Sequence, residues 1–264
     1  MIAANHAANN NLYCNQHICK QSINDVELDY SIHDFKVYSP IKSLYCLYLI
    51  NFVYENKIPK YFKSIQNIKD AQNKTIGSIL LLESTNNVFI TFRGTANVRD
   101  CINDLKTRQV QLKDSEGKVE KGFYSIYKSF RDDLLKFPFH KYNIILCGHS
   151  LGGSLALLTA LDLMDKNSIT VYTYGCPHVF DPVAAKDFIE LQKRHHSRVF
   201  RIQNSCDIVS FFPLPVSFHA WNTQKLYYYV PVGHLYEFTD NRFSFAENHS
   251  IYTYIDNVRR ITLA

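Results

Sequence analysis

Residues 142–164 read YNIILCGHSLGGSLALLTALDLM: a short apolar run, a lone serine between two glycines, and a long leucine- and alanine-rich run without proline. The first run, Tyr142 to Cys147, has the length and β-prone content of a buried strand. The second, Leu151 to Met164, is made of strong helix formers. Ser150 then sits in a strand-to-helix turn, with Gly148 and Gly152 two positions either side. Residues without a Cβ at those positions permit the strained backbone that pushes the serine oxygen out of such a turn. An ordinary glycine-rich turn is the plainer alternative, and the flanking strand and helix argue against it.

Outward from this stretch the same alternation continues. Residues 39–56 have helical spacing, with Pro40 near the start and an apolar face through Leu44, Leu47, Tyr48 and Ile50. Gly77–Leu82 and Val88–Arg93 are strand-like runs joined by Glu-Ser-Thr-Asn-Asn, a hairpin connection. Gly122–Lys136 reads as a helix ending before Pro138, and Thr170–Tyr174 as a strand. Residues 183–193 read as a helix, Val199–Asn204 as a strand, Lys225–Phe238 as β-rich, and Ser250–Val258 as a closing helix. Strands alternating with helices imply an α/β architecture with a mostly parallel sheet and right-handed crossovers.

A chain of 264 residues, 46% of them hydrophobic, can bury a substantial core. It reads as one domain over 1–264 with an N-terminal extension of about residues 1–38. The net charge of +5 is spread along the chain without a nucleic-acid-binding motif, which argues against a nucleic-acid partner and is compatible with weak attraction to an anionic lipid surface. The seven cysteines, at 14, 19, 46, 101, 147, 176 and 206, are odd in number and form no pair of C-x-x-C units. The first residues, MIAANHAANNNLY, lack the cationic and apolar segments of a secretory signal, and the initial methionine argues against a removed one. The longest apolar run, Leu44–Tyr54, is interrupted by Asn51 and too short to be a transmembrane segment. The expectation is a protein of the cytoplasm or another reducing compartment. It should work unglycosylated despite the sequons at Asn73 and Asn248, the second of which adjoins His249.

A serine hydroxyl needs a base to take its proton and an acid to orient that base. Asp162 and Asp165 fall on the helix leaving the serine turn, and Asp181 and Asp187 fall in or just before the next helix. Asp207 instead follows the strand VFRIQN, in a loop where open α/β sheets gather catalytic groups, although a turn cap would explain it too. Three histidines follow, His219, His234 and His249, and spacing alone barely separates the last two. Acyl transfer also needs donors for a tetrahedral oxyanion. The backbone N–H of Leu151 is one, and Thr95, after a strand and a glycine turn, is the candidate for the other.

Taken in order, VFITFRGT, GHSLGGSLALL, VYTYGCPHVFD, RIQNSCDIV and NHSIYTY resemble the class 3 lipases, the fungal-type triacylglycerol lipase family, over roughly residues 75–258. The resemblance implies an α/β-hydrolase fold in which Ser150 is the nucleophile, Asp207 the acid and His249 the base. Thr95 and Leu151 would form the oxyanion hole. It places His234, in GHLYEF, in a separate histidine segment that is not the base. It also implies a lid helix after the oxyanion residue, where Val98, Cys101, Ile102 and Leu105 share one helical face. Two departures stand out. Glu120 replaces the family's histidine before Gly122-Phe123, and Ser210 replaces the proline after Val209.

The expected activity is hydrolysis of carboxylic esters of lipids through an acyl-serine intermediate, at a membrane or droplet surface, with no metal and no organic cofactor. The rival substrates are phospholipids, in the A1 sense, and small esters. A non-catalytic hydrolase-like binding protein is the rival of a different class, against which the intact Ser-Asp-His set argues.

Overall fold

The structure is a computed structural model that describes residues 34–95, 108–113, 115–214, 216–218 and 226–263. The expected lid over residues 96–105 lies outside them, as do His219, Cys14, Cys19 and Cys101.

Helix α1 (Pro40–Tyr54) starts where Ser39 caps it, its Oγ accepting from the Lys42 N–H, with Pro40 at the first helical position. Strands β1 (Lys63–Lys69), β2 (Thr75–Leu82) and β3 (Asn87–Phe92) follow, the last two joined by a tight turn closed by Asn86 in the left-handed region at φ 54°. After the small hairpin β4 (Gln109–Gln111) and β5 (Lys118–Glu120) come α2 (Lys121–Leu134), β6 (Asn143–His149), α3 (Leu151–Met164) and β7 (Ile169–Tyr174). Then follow α4 (Pro182–Arg194), β8 (Arg198–Asn204), a short pair β9 (Val216–Phe218) and β10 (Leu226–Tyr228), β11 (His234–Phe238), α5 (Phe245–Asn248) and α6 (Ile251–Leu263). Among the described residues no helix is long and apolar enough to cross a membrane.

Seven strands form the main sheet in the order β1-β2-β3-β6-β7-β8-β11. The first three are antiparallel, and β3, β6, β7, β8 and β11 run parallel. The expected α/β class with a mostly parallel sheet is what is observed. Strand β6 explains why the sheet is buried on both faces. Ile144 and Leu146 point into the core shared with α2, α3 and α4, while Ile145 and Cys147 point into the core shared with α1 and α6. Two-faced burial is what makes a parallel strand read as a continuous apolar run.

Two features differ from the expectation. Helix α1 is buried from Ser43 through Val53, on nearly every side rather than along one face, because it lies between the sheet and α6. Strand β1 has no apolar signature of its own: only Ile68 in KSIQNIK is buried, and its place is set by pairing with β2. A polar edge strand with lysine at both ends resists pairing with a further chain.

Glu120, at the family's histidine position, caps α2. Its Oε2 accepts from the Phe123 N–H at 2.7 Å, while Oε1 is buried without a hydrogen-bond partner, as is the nearby Tyr229 hydroxyl. Burial pushes the carboxyl above its usual range, against the lowering effect of the Gly122 and Phe123 N–H groups. The folded state thus binds a proton that the unfolded chain releases near pH 4.3. Stability contributed by Glu120 is full below that pH and is lost as pH rises through the folded-state value. Glu120→Gln keeps an acceptor for Phe123 and cannot ionise. Its melting temperature should match wild type in acid and exceed it at neutral pH. A variant less stable at neutral pH than in acid relative to wild type would contradict this account.

Candidate active site

Ser150 joins β6 to α3 at φ 57° and ψ −130°, a backbone conformation that a residue with a Cβ adopts only under constraint. The constraint is visible. A Cβ on Gly148 would lie 2.1 Å from the Gly152 carbonyl oxygen, and one on Gly152 would lie 2.4 Å from the Phe92 carbonyl oxygen. Only hydrogen side chains let the elbow, its own helix and β3 come this close. The Ser150 N–H donates to the Tyr174 carbonyl at 2.9 Å, and the Ser150 carbonyl accepts from Gly153 at 2.8 Å.

Asp207 follows the carboxyl end of β8 and is fully buried. Its Oδ1 accepts from the Val209 N–H at 3.0 Å, so it does cap the short turn Ile208–Phe211. Its Oδ2 meets three further groups: the Tyr254 hydroxyl donates at 2.6 Å, the Ser210 hydroxyl donates at 3.2 Å, and His249 Nδ1 lies at 2.7 Å. Burial pushes the Tyr254 phenol well above its usual range, so it keeps the proton that it donates. Capping and orienting are compatible roles, carried by different oxygens.

His249 ends α5, 1% exposed, with Nδ1 held by Asp207 and Nε2 buried without a hydrogen-bond partner. A carboxylate can only accept, so Nδ1 carries a hydrogen, and in the neutral ring Nε2 presents a lone pair. Gly175, at φ +54°, closes the floor. A Cβ there would meet Asp207 Oδ2 at 2.8 Å, the Tyr254 hydroxyl at 2.9 Å and His249 Cε1 at 3.1 Å. Ser150, Asp207 and His249 thus follow β6, β8 and β11, parallel strands whose carboxyl ends share one edge. Thr95 follows β3 at that same edge. There Thr95 and Leu151 line a cleft of about 410 Å³, with Ile76, Arg93, Gly94 and Ile126 among its other walls.

The family model for lipase (class 3) matches residues 89–217, which run from β3 past Asp207. Over that stretch the chain is similar to the class 3 lipases. The lipase of Rhizomucor miehei is 31% identical over 174 residues, 60% of this chain and 44% of that protein. The chloroplastic phospholipase A(1) DAD1 of Arabidopsis thaliana is 24% identical over 191 residues, 59% of this chain and 42% of that protein. A solved triacylglycerol lipase, described as having a serine protease triad at its catalytic centre, superposes with a TM-score of 0.61. That match is 26% identical and covers 76% of this chain and 80% of the other. The fold is that of the α/β-hydrolases. The alignments to the two curated relatives span less than half of either relative's length.

Three of the other acids weighed from the sequence have structural partners. Asp162 pairs with Arg131 and accepts from Tyr127, Asp181 caps α4 through the Ala184 N–H, and Asp187 accepts from Ser115. His234 opens β11 opposite Phe200, at the far end of the strand from Asn204 and Asp207, and is exposed. Tyr54, His149 and Tyr254 escaped the sequence reading, and Ser210 entered it only as a departure from the resemblance. Ser210 did carry a signal, because it replaces a proline and supplies a donor that proline lacks. Tyr254, five residues after His249, lies in the first turn of α6, the helix that follows it.

Proposed function

We propose that this protein hydrolyses carboxylic ester bonds of lipids through an acyl-serine intermediate. Ser150 attacks the ester carbonyl; His249 Nε2 takes its proton and later delivers it to the leaving alkoxide; Asp207 holds the imidazole and steadies its charged form. The N–H of Leu151 and the Thr95 segment receive the oxyanion. A water then repeats the sequence in reverse and frees the acid. The observation that carries this reading is the buried 2.7 Å contact between His249 Nδ1 and Asp207 Oδ2, with Nε2 left bare at the edge where Ser150 sits. The 174-residue match to the Rhizomucor lipase and the likeness to a solved triacylglycerol lipase support acylglycerols as the preferred substrates. The phospholipase match keeps phospholipids as the second reading.

A fluorophosphonate probe should label wild type on Ser150 and leave Ser150→Ala unlabelled. Side-by-side assay of triacylglycerols, phospholipids and p-nitrophenyl esters should rank acylglycerols first. Binding of lipid with no labelling and no turnover would overturn the enzymatic reading.

A reducing setting fits this proposal. Cys46, Cys147 and Cys176 are buried free thiols, and burial pushes the Cys176 thiol up to about 12. The glycan-accepting Nδ2 of Asn248 is spent on the Cys206 carbonyl at 3.0 Å, so a sugar there would have to displace the loop that carries Asp207.

A further inference from the structure

We propose that Tyr54 and His149 are positioning residues: they form a one-way hydrogen-bond relay that ties the Gly94–Thr95 turn to the main chain of His249. This rests on the hydrolase reading above. The relay's direction follows from its fixed end. The His249 carbonyl oxygen, 2.9 Å from His149 Nε2, can only accept, so Nε2 bears the hydrogen. A neutral imidazole then has a bare Nδ1, which must accept from the Tyr54 hydroxyl at 2.9 Å. Tyr54, having given its hydrogen, takes the Gly94 N–H on its oxygen at 2.7 Å. Each proton has one possible place.

Burial supports the neutral ring, since it holds His149 well below the usual histidine range, with the adjacent His249 adding to the lowering. Neutrality also matters for its neighbour. The two imidazole rings lie tilted by 31° with centroids 4.8 Å apart, and a second cation there would oppose the charge that His249 gains on accepting the serine proton.

The relay joins segments far apart in the chain. Tyr54 ends α1, His149 immediately precedes Ser150, Gly94 immediately precedes Thr95, and the acceptor is the base's own peptide. Gly94 is also where these parts touch: a Cβ there would lie 2.6 Å from the Tyr54 hydroxyl and 2.7 Å from Ser150 Cβ. The turn is held from its other side by Arg93, whose Nε donates to the Thr75 carbonyl at 2.9 Å and whose Nη1 donates to the Gly94 carbonyl at 3.2 Å. Removing Tyr54's oxygen frees only the inner side. The oxyanion turn and the base can then drift relative to one another without loss of a core contact.

The test uses the whole chain. Tyr54→Phe keeps the ring and deletes the relay. It should lower kcat by ~10- to 100-fold with KM nearly unchanged, as expected of a small misplacement of reacting groups, and slow fluorophosphonate labelling to a similar degree. His149→Gln, which retains an N–H for the His249 carbonyl, should keep more activity than His149→Leu. Equal labelling rates in wild type and a folded Tyr54→Phe, or equal losses in the two His149 variants, would overturn the relay. Failure of wild type itself to label would instead sink the hydrolase reading. A readout without turnover is nitrogen NMR of the His149 ring. The relay requires a protonated Nε2 and bare Nδ1 that do not titrate between about pH 5 and 8, where an ordinary histidine does. A ring protonated on Nδ1 would refute it.

Discussion

Ser150→Ala and His249→Ala should each cut turnover by ~1,000-fold or more, and the double variant should lose little beyond either single one, because the groups act as a unit. The physical reason lies in the connectivity. His249 Nε2 is the bare end of a chain that starts at Tyr254 and Ser210 and passes through Asp207 Oδ2. A serine without that base is an ordinary alcohol, and a base without the serine has no proton to take. Both variants should remain folded, since Ser150's side chain carries no structural bond that its N–H and carbonyl do not already supply. His234→Ala is the control. It sits exposed at the opposite end of β11, and its loss should leave most activity in place. A dead His234→Ala with an active His249→Ala would reverse the assignment of the base.

The second large effect concerns the elbow. Gly148→Ala would put a methyl group 2.1 Å from the Gly152 carbonyl oxygen and 2.3 Å from its carbon. Both are backbone atoms of α3, so no rotamer change relieves the contact. The start of α3 would have to move off β6, and with it the Ser150 conformation. Overpacking typically costs about 1–3 kcal/mol, and the upper end, which a backbone contact this short calls for, lowers the melting temperature of a chain of this size by roughly 6–12 °C. Thermal unfolding checks the stability term, and fluorophosphonate labelling of the folded fraction checks the elbow. A Gly148→Ala protein melting within about 2 °C of wild type would mean that the turn has slack its geometry denies.

Much of the architecture was legible because it is local. Helix α3 spans Leu151–Met164 as read from its composition, and α1 starts beside Pro40. The order of strands and helices implied the parallel sheet that is observed. Strand β1 was not legible: it is held by β2's hydrogen bonds, and pairing leaves no mark on a polar edge strand's own composition. The full burial of α1 was missed for a related reason. One helix's periodicity reports the first surface it packs on, and α6, contributed by the far end of the chain, covers the rest.

The sequence by itself determined the glycine-flanked Ser150, the placement of Asp207 after a strand, and the set of histidines from which a base could come. These are matters of residue type and short spacing. It did not determine how Asp207 is held, or which hydrogen each ring of the His149–His249 pair carries. Those depend on the His249 carbonyl and on Tyr54 and Tyr254, which reach the site from α1 and α6 at opposite ends of the described chain. Hydrogen bonds act over about 3 Å, so their partners are chosen only when the sheet and its covering helices have closed. The residue types were written locally, and the proton positions were settled by packing.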